Sequence, residues 1–245
     1  MATGARADRP AFYAFSGGRM GDLLTLLHPP YTAWHLSYVA FGAAVAPHVH
    51  ASRVLWALGA FALAVGVAAH ALDELHGRPL RTRLSERTLI SLAVVSLLVA
   101  VAIGVAGVLV VSPWLAPLVL AGGAFLPAYN LELAGGRFHT DLWFAIGWGA
   151  FPAFTGYFVN SERIAVPGLL VAVGCMGMSV AQRRLSTPAR RLRRATLGVR
   201  GELELRDGET EQLTLPAMLA PLDGALAALS LTMVLLAAGL LAARL

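Results

Sequence analysis

Apolar runs of about twenty residues recur along the chain with short polar segments between them, and at that length one helix crosses a hydrocarbon core about 30 Å thick. The pattern predicts spans at residues 24–46, 54–75, 88–111, 114–131, 141–159, 164–182 and 222–243. The expected fold is all-α, a polytopic transmembrane helical bundle of about seven spans. Residues 1–23 form an N-terminal segment, and residues 24–243 form a single membrane domain with no separate soluble unit. The longest polar stretch, 183–214, is expected to be a basic cytoplasmic loop. It carries a short hairpin around Arg206-Asp207-Gly208-Glu209, flanked by the alternating Glu202, Leu203, Glu204 and Leu205.

Composition agrees, with 57% hydrophobic and only 13% charged residues. All nineteen basic residues are arginine, which together with the Ala/Leu/Val/Gly bias points to a GC-rich bacterial genome. A pI near 10.1 would suit a nucleic-acid partner, but the arginines are distributed as topology signals instead. With the N-terminus in the cytoplasm, sixteen of the nineteen fall on that side: Arg6, Arg9, Arg19, Arg78, Arg81, Arg83, Arg87, Arg137 and the eight from Arg183 to Arg206. Only Arg53, Arg163 and Arg244 lie opposite. The expectation is an integral protein of the bacterial inner membrane with a cytoplasmic N-terminus and no nucleic-acid partner. No signal peptide is expected, because the first apolar run begins only after about twenty polar or small residues. The single cysteine, Cys175, lies within an apolar run and reads as a packing residue.

The second span closes on His70-Ala71-Leu72-Asp73-Glu74-Leu75-His76. Ionisable groups cost about 2.5–3.5 kcal/mol each at mid-membrane on insertion scales and less near the interface, so their clustering there is a functional signal. Helical spacing puts His70 beside Asp73 and Glu74, and Asp73 beside His76. The same topology brings His28, Tyr129, Asn130, Glu132, His139 and Asp141 to that membrane face. Asp141 also suits a helix cap. His35 is expected to bond a neighbouring helix, on a stripe with Tyr31, Tyr38 and Gly42 that could floor a cavity. His48 and His50 fall on the opposite side as loop residues.

Two stretches resemble the UbiA superfamily of intramembrane prenyltransferases over roughly residues 20–200. One is the acidic helix end followed by Arg78-Pro79-Leu80 and Leu84-Ser85-Glu86-Arg87. The other is Tyr129-Asn130-x-Glu132, then Gly135-Gly136-Arg137, then a helix with Gly147, Gly149, Pro152 and Gly156. The resemblance implies two aspartate-rich motifs that bind Mg²⁺ and hold a prenyl diphosphate. Here the first motif keeps Asp73 and Glu74 but has His70 where Asn or Asp is expected. The second is replaced by Ala181-Gln182-Arg183-Arg184-Leu185-Ser186 and then Arg190, Arg191, Arg193 and Arg194. That arginine run reads first as a solvated loop touching anionic headgroups, and second as a direct diphosphate binder. The chain also has two fewer predicted helices than the nine usual in the family.

Two chemistries share these residues. In the first, a divalent metal (Mg²⁺ for diphosphate chemistry) sits on Asp73 and Glu74, with Arg78, Asn130, Arg137, Arg183 and Arg184 binding an isoprenoid or lipid-like substrate. Tyr129, Glu132, His139 and Asp141 are then the catalytic candidates that orient or deprotonate an acceptor. In the second, His28, His70, His76 and His139 with neighbouring carboxylates bind Fe or Zn for oxidation or hydrolysis of a lipid-like substrate. A haem variant would use His35 or His70, without a supporting attachment motif. A non-catalytic lipid-binding subunit is the third reading. The aromatic residues Trp143, Phe144, Trp148, Phe151, Phe154, Tyr157 and Phe158 suit either a prenyl pocket or helix interfaces.

Overall fold

The computed structural model describes residues 9–245, so Arg6 and the rest of residues 1–8 lie outside the described part. A short helix α1 (Gly18–Leu26) precedes α2 (Pro29–Ala44), α3 (Ala51–Leu75), α4 (Glu86–Val110), α5 (Ala116–Asn130), α6 (Asp141–Ser161), α7 (Val166–Arg194) and α8 (Leu215–Ala242). Five of these, α3, α4, α6, α7 and α8, are long and apolar enough to cross a membrane. The outer faces of α4, α7 and α8 expose Leu98, Leu109, Leu170, Val173, Leu231 and Leu235. Exposed apolar surface of this extent matches lipid rather than water. Helices α2 and α5 have 16 and 15 residues, about 24 and 22 Å at 1.5 Å per residue.

Three boundaries differ from the hydropathy pattern. The first apolar run is broken at His28, whose backbone is left-handed with φ 45°, ahead of Pro29-Pro30. Proline disfavours right-handed helix in the residue before it, so the chain turns there and the first long helix begins at Pro29. The predicted loop at 183–214 is helical for its first twelve residues, because α7 continues to Arg194 with Arg191, Arg193 and Arg194 in its last turn. Arginine is a good helix former and suits the negative end of the helix dipole, which a hydropathy reading cannot register. Likewise α8 starts at Leu215, where Thr214 Oγ1 accepts from Ala217 N at 3.3 Å. The expected hairpin forms, with β1 (Glu202–Glu204) and β2 (Thr210–Gln212) antiparallel and in the register Leu203 to Glu211.

Helix α2 is the axis of the bundle, packed mainly against α6 and α8 with Trp34, Tyr38 and Val39 fully buried. Its approach to α6 is backbone to backbone. A Cβ at Gly42 would collide with the Ala153 carbonyl and the Tyr157 amide, and a Cβ at Gly156 would collide with the Val39 carbonyl. Without a hydrophobic drive between helices in lipid, such small-residue contacts carry the packing. Cys175 sits in this core beside Trp34, Ala153 and Ala172, as a packing residue.

At one end the bundle gathers the start of α2, the end of α3, the end of α5, the start of α6 and the end of α7. Arg53, Arg163 and Arg244 lie at the other end, where Arg53 Nη1 reaches Glu162 Oε1 at 2.8 Å and Arg244 Nη2 donates to the Ala46 carbonyl at 2.8 Å. His48 and His50 lie at that same far end, in the connection between α2 and α3.

Gly42→Val is expected to destabilise the bundle by at least ~3 kcal/mol, the upper range for overpacking, because backbone must move to admit the side chain. Gly177→Ala, on α7 with no atom within 4 Å of its would-be Cβ, is expected to leave the melting temperature in detergent unchanged or slightly raised. Thermal unfolding of the two variants beside the wild type checks both.

Candidate functional site

Two of the long helices are interrupted by wide π-type turns, Ala62–Ala69 in α3 and Ile146–Ala150 in α6. Such turns are rare and recur at functional sites because they disturb the regular carbonyl register. Here each contributes a carbonyl to a histidine. His70 Nδ1 donates to the Gly66 carbonyl at 3.2 Å, and His35 Nδ1 donates to the Trp148 carbonyl at 2.8 Å. His35 therefore does bond a neighbouring helix, and it also lines a cavity.

That cavity, about 370 Å³, opens among the gathered helix ends. On the α3 wall stand His70, Asp73 and His76. The N-terminal segment adds Tyr13, whose Oη lies 2.7 Å from His28 Nδ1. Burial holds the Tyr13 phenol well above its ordinary range, so it stays protonated and donates. Burial first, then the charges of His70, Arg194 and Arg190, holds His28 well below 6.5, so its ring is neutral. The His28 and His70 rings stack, with centroids 3.9 Å apart and planes 14° apart.

The opposite wall belongs to α5, α6 and α7. Tyr129, Asn130, Glu132 and His139 line it, with His139 Nδ1 donating to the Tyr129 carbonyl at 3.1 Å and its ring stacked on Tyr129 at 4.5 Å. In the neutral ring this leaves His139 Nε2 as an acceptor. Asn130 Nδ2 donates to the Leu126 carbonyl at 2.8 Å. Helix α7 contributes Gln182, Arg183, Ser186, Arg190, Arg193 and Arg194 on one face. Arg183 donates from Nη1 to Tyr129 Oη at 3.1 Å, pairs through Nε with Asp141, and lies over the Phe144 ring at 4.8 Å. Arg193 pairs with Asp223 of α8.

Several expected site residues are positioned for other work. Glu74 is fully buried and accepts from Leu80 N at 2.9 Å, Thr82 N at 2.8 Å and Thr82 Oγ1 at 2.9 Å. It braces the loop after α3 and is not a metal ligand. Arg78, left-handed at φ 52°, donates to the Leu84 carbonyl at 2.5 Å and serves the same loop, not substrate. Thr140 caps α6, accepting from Trp143 N at 3.3 Å. Asp141 follows it with its side chain 76% exposed and tied to Arg183, outside the cavity lining; Thr140 rather than Asp141 is the cap, and Asp141 lies in the first turn, where a carboxylate complements the positive helix end. Arg137 and Arg184 are exposed and do not line the cavity.

The donor set does not fit a resident Fe or Zn. Imidazole lone pairs lie in the ring plane, so two nearly parallel stacked rings cannot both bring a nitrogen to about 2.1 Å from one ion. Among the described residues no three His, Cys, Asp or Glu side chains are placed to hold a metal. For Mg²⁺, with Glu74 consumed, Asp73 is the only carboxylate of the acidic motif that faces the cavity.

A second cavity, about 740 Å³ and apolar, runs between α3, α4, α5 and α6 past Phe61, Ala64, Gly104, Gly122 and Phe151. Glycine lets its walls approach closely, since a Cβ at Gly104 would meet the Val119 side chain of α5 at 2.7 Å. Trp148 lines both cavities.

Tyr13 lines the cavity with no expectation of it from the sequence, whereas Gln182, Arg190, Arg193 and Arg194 belong to the run that reads first as a solvated loop and only second as an anion binder. The signal was present for α7, because 182, 186, 189 and 193 keep a helical period through the arginine run. Comparison with protein-family models, curated proteins and solved structures finds no match.

Two outcomes follow. Glu74→Ala leaves three buried donors without a partner and is expected to lower stability by about 3 kcal/mol or more, with Glu74→Gln intermediate, in thermal unfolding. Because His28 titrates below its unfolded value, the unfolded chain binds more protons below about pH 6.5. Stability that His28 leaves intact above that pH is lost as pH falls. His28→Asn, which tolerates the left-handed backbone, is expected to show a smaller drop in melting temperature than wild type between pH 7.5 and 5.

Proposed function

We propose that this chain is a divergent UbiA-like membrane enzyme that binds an isoprenoid or related lipid carrying an anionic phosphate head and transfers its lipid group to an acceptor. One observation carries this reading: a polar Arg/His cavity and an apolar chamber of twice its volume share the Trp148 side chain as a wall. The polar cavity suits the head and the chamber suits the chain, the arrangement an amphiphile requires.

Within this reading the C–O bond between the lipid carbon and the diphosphate breaks, and the same carbon bonds the acceptor's nucleophilic atom. The departing diphosphate keeps the bonding electrons, and the α7 arginines stabilise its growing charge. The acceptor's proton passes to His139 Nε2, the acceptor nitrogen exposed beside Tyr129, while Tyr129 and Asn130 orient the acceptor. The arginine-rich helix ends support a site at the cytoplasmic face of a bacterial inner membrane on the positive-inside rule. On this reading α2 and α5 also cross, giving seven crossings with the bilayer thinned or the helix ends extended by loops.

Diphosphate release by the purified protein in nanodiscs, supplied with farnesyl or geranylgeranyl diphosphate and a bacterial lipid extract as acceptor, tests the reading. Wild type is expected to release diphosphate and to form a lipid product, and His139→Ala to lower the rate by about 10²-fold while still binding substrate. Tight binding with no turnover in any acceptor mixture would favour the non-catalytic lipid-binding reading.

A further inference from the structure

The cavity holds more cationic hydrogen-bonding capacity than its protein partners use. Among the described residues Arg183 and Arg193 have carboxylate partners, whereas neither Arg190 nor Arg194 has one within salt-bridge distance. A guanidinium has five N–H donors. Arg190 spends one from Nη1 on Ser186 Oγ and one from Nη2 on Thr187 Oγ1, both at 3.0 Å. Arg194 Nε is buried and unpartnered. Gln182, 3% exposed on the same helix face, has its Oε1 buried and unpartnered as well. Buried charge and buried polar atoms without partners cost free energy unless something fills them.

The two arginines are four residues apart, so successive turns of α7 present both forks to one volume. Paired forks match the tetrahedral oxygens of phosphate. Gln182 Oε1 adds an acceptor, suited to a protonated phosphate oxygen or a hydroxyl. Across the cavity, by contrast, the acidic motif offers only Asp73, because Glu74 is held by the loop amides. The other cavity carboxylate, Glu132, is exposed just after α5, and Mg²⁺ commonly binds through one or two carboxylates plus substrate phosphates, so Asp73 without its motif neighbour is a minimal platform for it.

Building on the reading above, we propose that the chain grips a phosphate or diphosphate ester directly through the Arg190–Arg194 face of α7, with Gln182 beside it, and needs no divalent cation to bridge the ester to protein. The arginine turns take the place that an acidic metal-binding motif would otherwise fill. The anion also supplies the direct ion-pair partner that the two guanidinium groups lack among the described residues.

Binding of inorganic diphosphate and of farnesyl diphosphate to the full chain in phosphatidylcholine nanodiscs, measured by calorimetry with EDTA or with Mg²⁺, tests this. Both ligands are expected to bind in EDTA, with Mg²⁺ changing Kd by less than about threefold. Arg190→Gln and Arg194→Gln are each expected to weaken binding at least tenfold, and Asp73→Asn is expected not to weaken it. Should either Gln variant melt early, Arg190→Lys and Arg194→Lys keep the charge but lose the fork, and a loss of at least threefold is expected of them. Binding abolished by EDTA, or weakened tenfold by Asp73→Asn, would overturn the metal-free clamp while leaving the amphiphile reading intact. Loss of diphosphate binding when phosphatidylglycerol replaces phosphatidylcholine would also overturn it, because the arginines would then belong to bilayer headgroups. If farnesyl diphosphate bound no tighter than inorganic diphosphate, the clamp would stand and the two-compartment reading would fail.

Discussion

The backbone contact between α2 and α6 is the constraint on which the other features depend. Gly42 and Gly156 let the two helices touch at Ala153 and Val39 with no side chain between them. That closeness brings His35 of α2 within 2.8 Å of the Trp148 carbonyl on α6. The Trp148 ring in turn packs with Val65, Ala68, Leu126 and Tyr129 and forms the partition between the polar and apolar cavities. A wider α2–α6 separation would break the histidine bond and merge or collapse the two compartments.

The polar end shows how the chain accommodates ionisable groups next to lipid. Five of them have a local solution. Glu74 takes two backbone amides and a hydroxyl, His70 takes the Gly66 carbonyl from a π-type turn, and His28 takes the Tyr13 phenol. Arg183 and Arg193 take Asp141 and Asp223. Asp73, His76, Arg190 and Arg194 are the charged or titratable cavity-lining groups of α3 and α7 for which no side-chain hydrogen bond to a carboxylate or carbonyl forms among the described residues. On the reading proposed above, unspent donors on one wall and an apolar chamber beside Trp148 suit an amphiphilic anion.

Much of this was legible in the sequence, in proportion to how local each signal is. Apolar runs located five helices long enough to cross a membrane, whereas the runs at 24–46 and 114–131 form helices of only 16 and 15 residues. The Asp-Gly turn gave the hairpin, and the positional logic of alternating helices correctly gathered His28, His70, Asp73, His76, Tyr129, Asn130, Glu132, His139 and Arg183 at one end. What failed needed three-dimensional partners. Glu74 and Asp73 are adjacent carboxylates that the sequence treats as equivalent ligands, yet the loop amides at Leu80 and Thr82 claim Glu74. Arg78 was read toward substrate, and its left-handed backbone turns it to the Leu84 carbonyl. The arginine-rich end of α7 looked like loop because hydropathy falls there, whereas helix formation depends on propensity and on the face presented to neighbours. The π-type turns have no sequence signature in this chain.

The central claim is that one ligand occupies both compartments, head among the α7 arginines and chain past Trp148 into the α3–α6 chamber. A prenyl diphosphate bearing a photoreactive diazirine at its distal end, cross-linked in nanodiscs and mapped by mass spectrometry, tests this most directly. The account predicts labelling in the chamber wall, at Phe61–Val65 of α3 and Ala100–Gly107 of α4, and competition by inorganic diphosphate. Labelling confined to the lipid-facing residues Leu231, Leu235 and Leu236 of α8, insensitive to diphosphate, would contradict it.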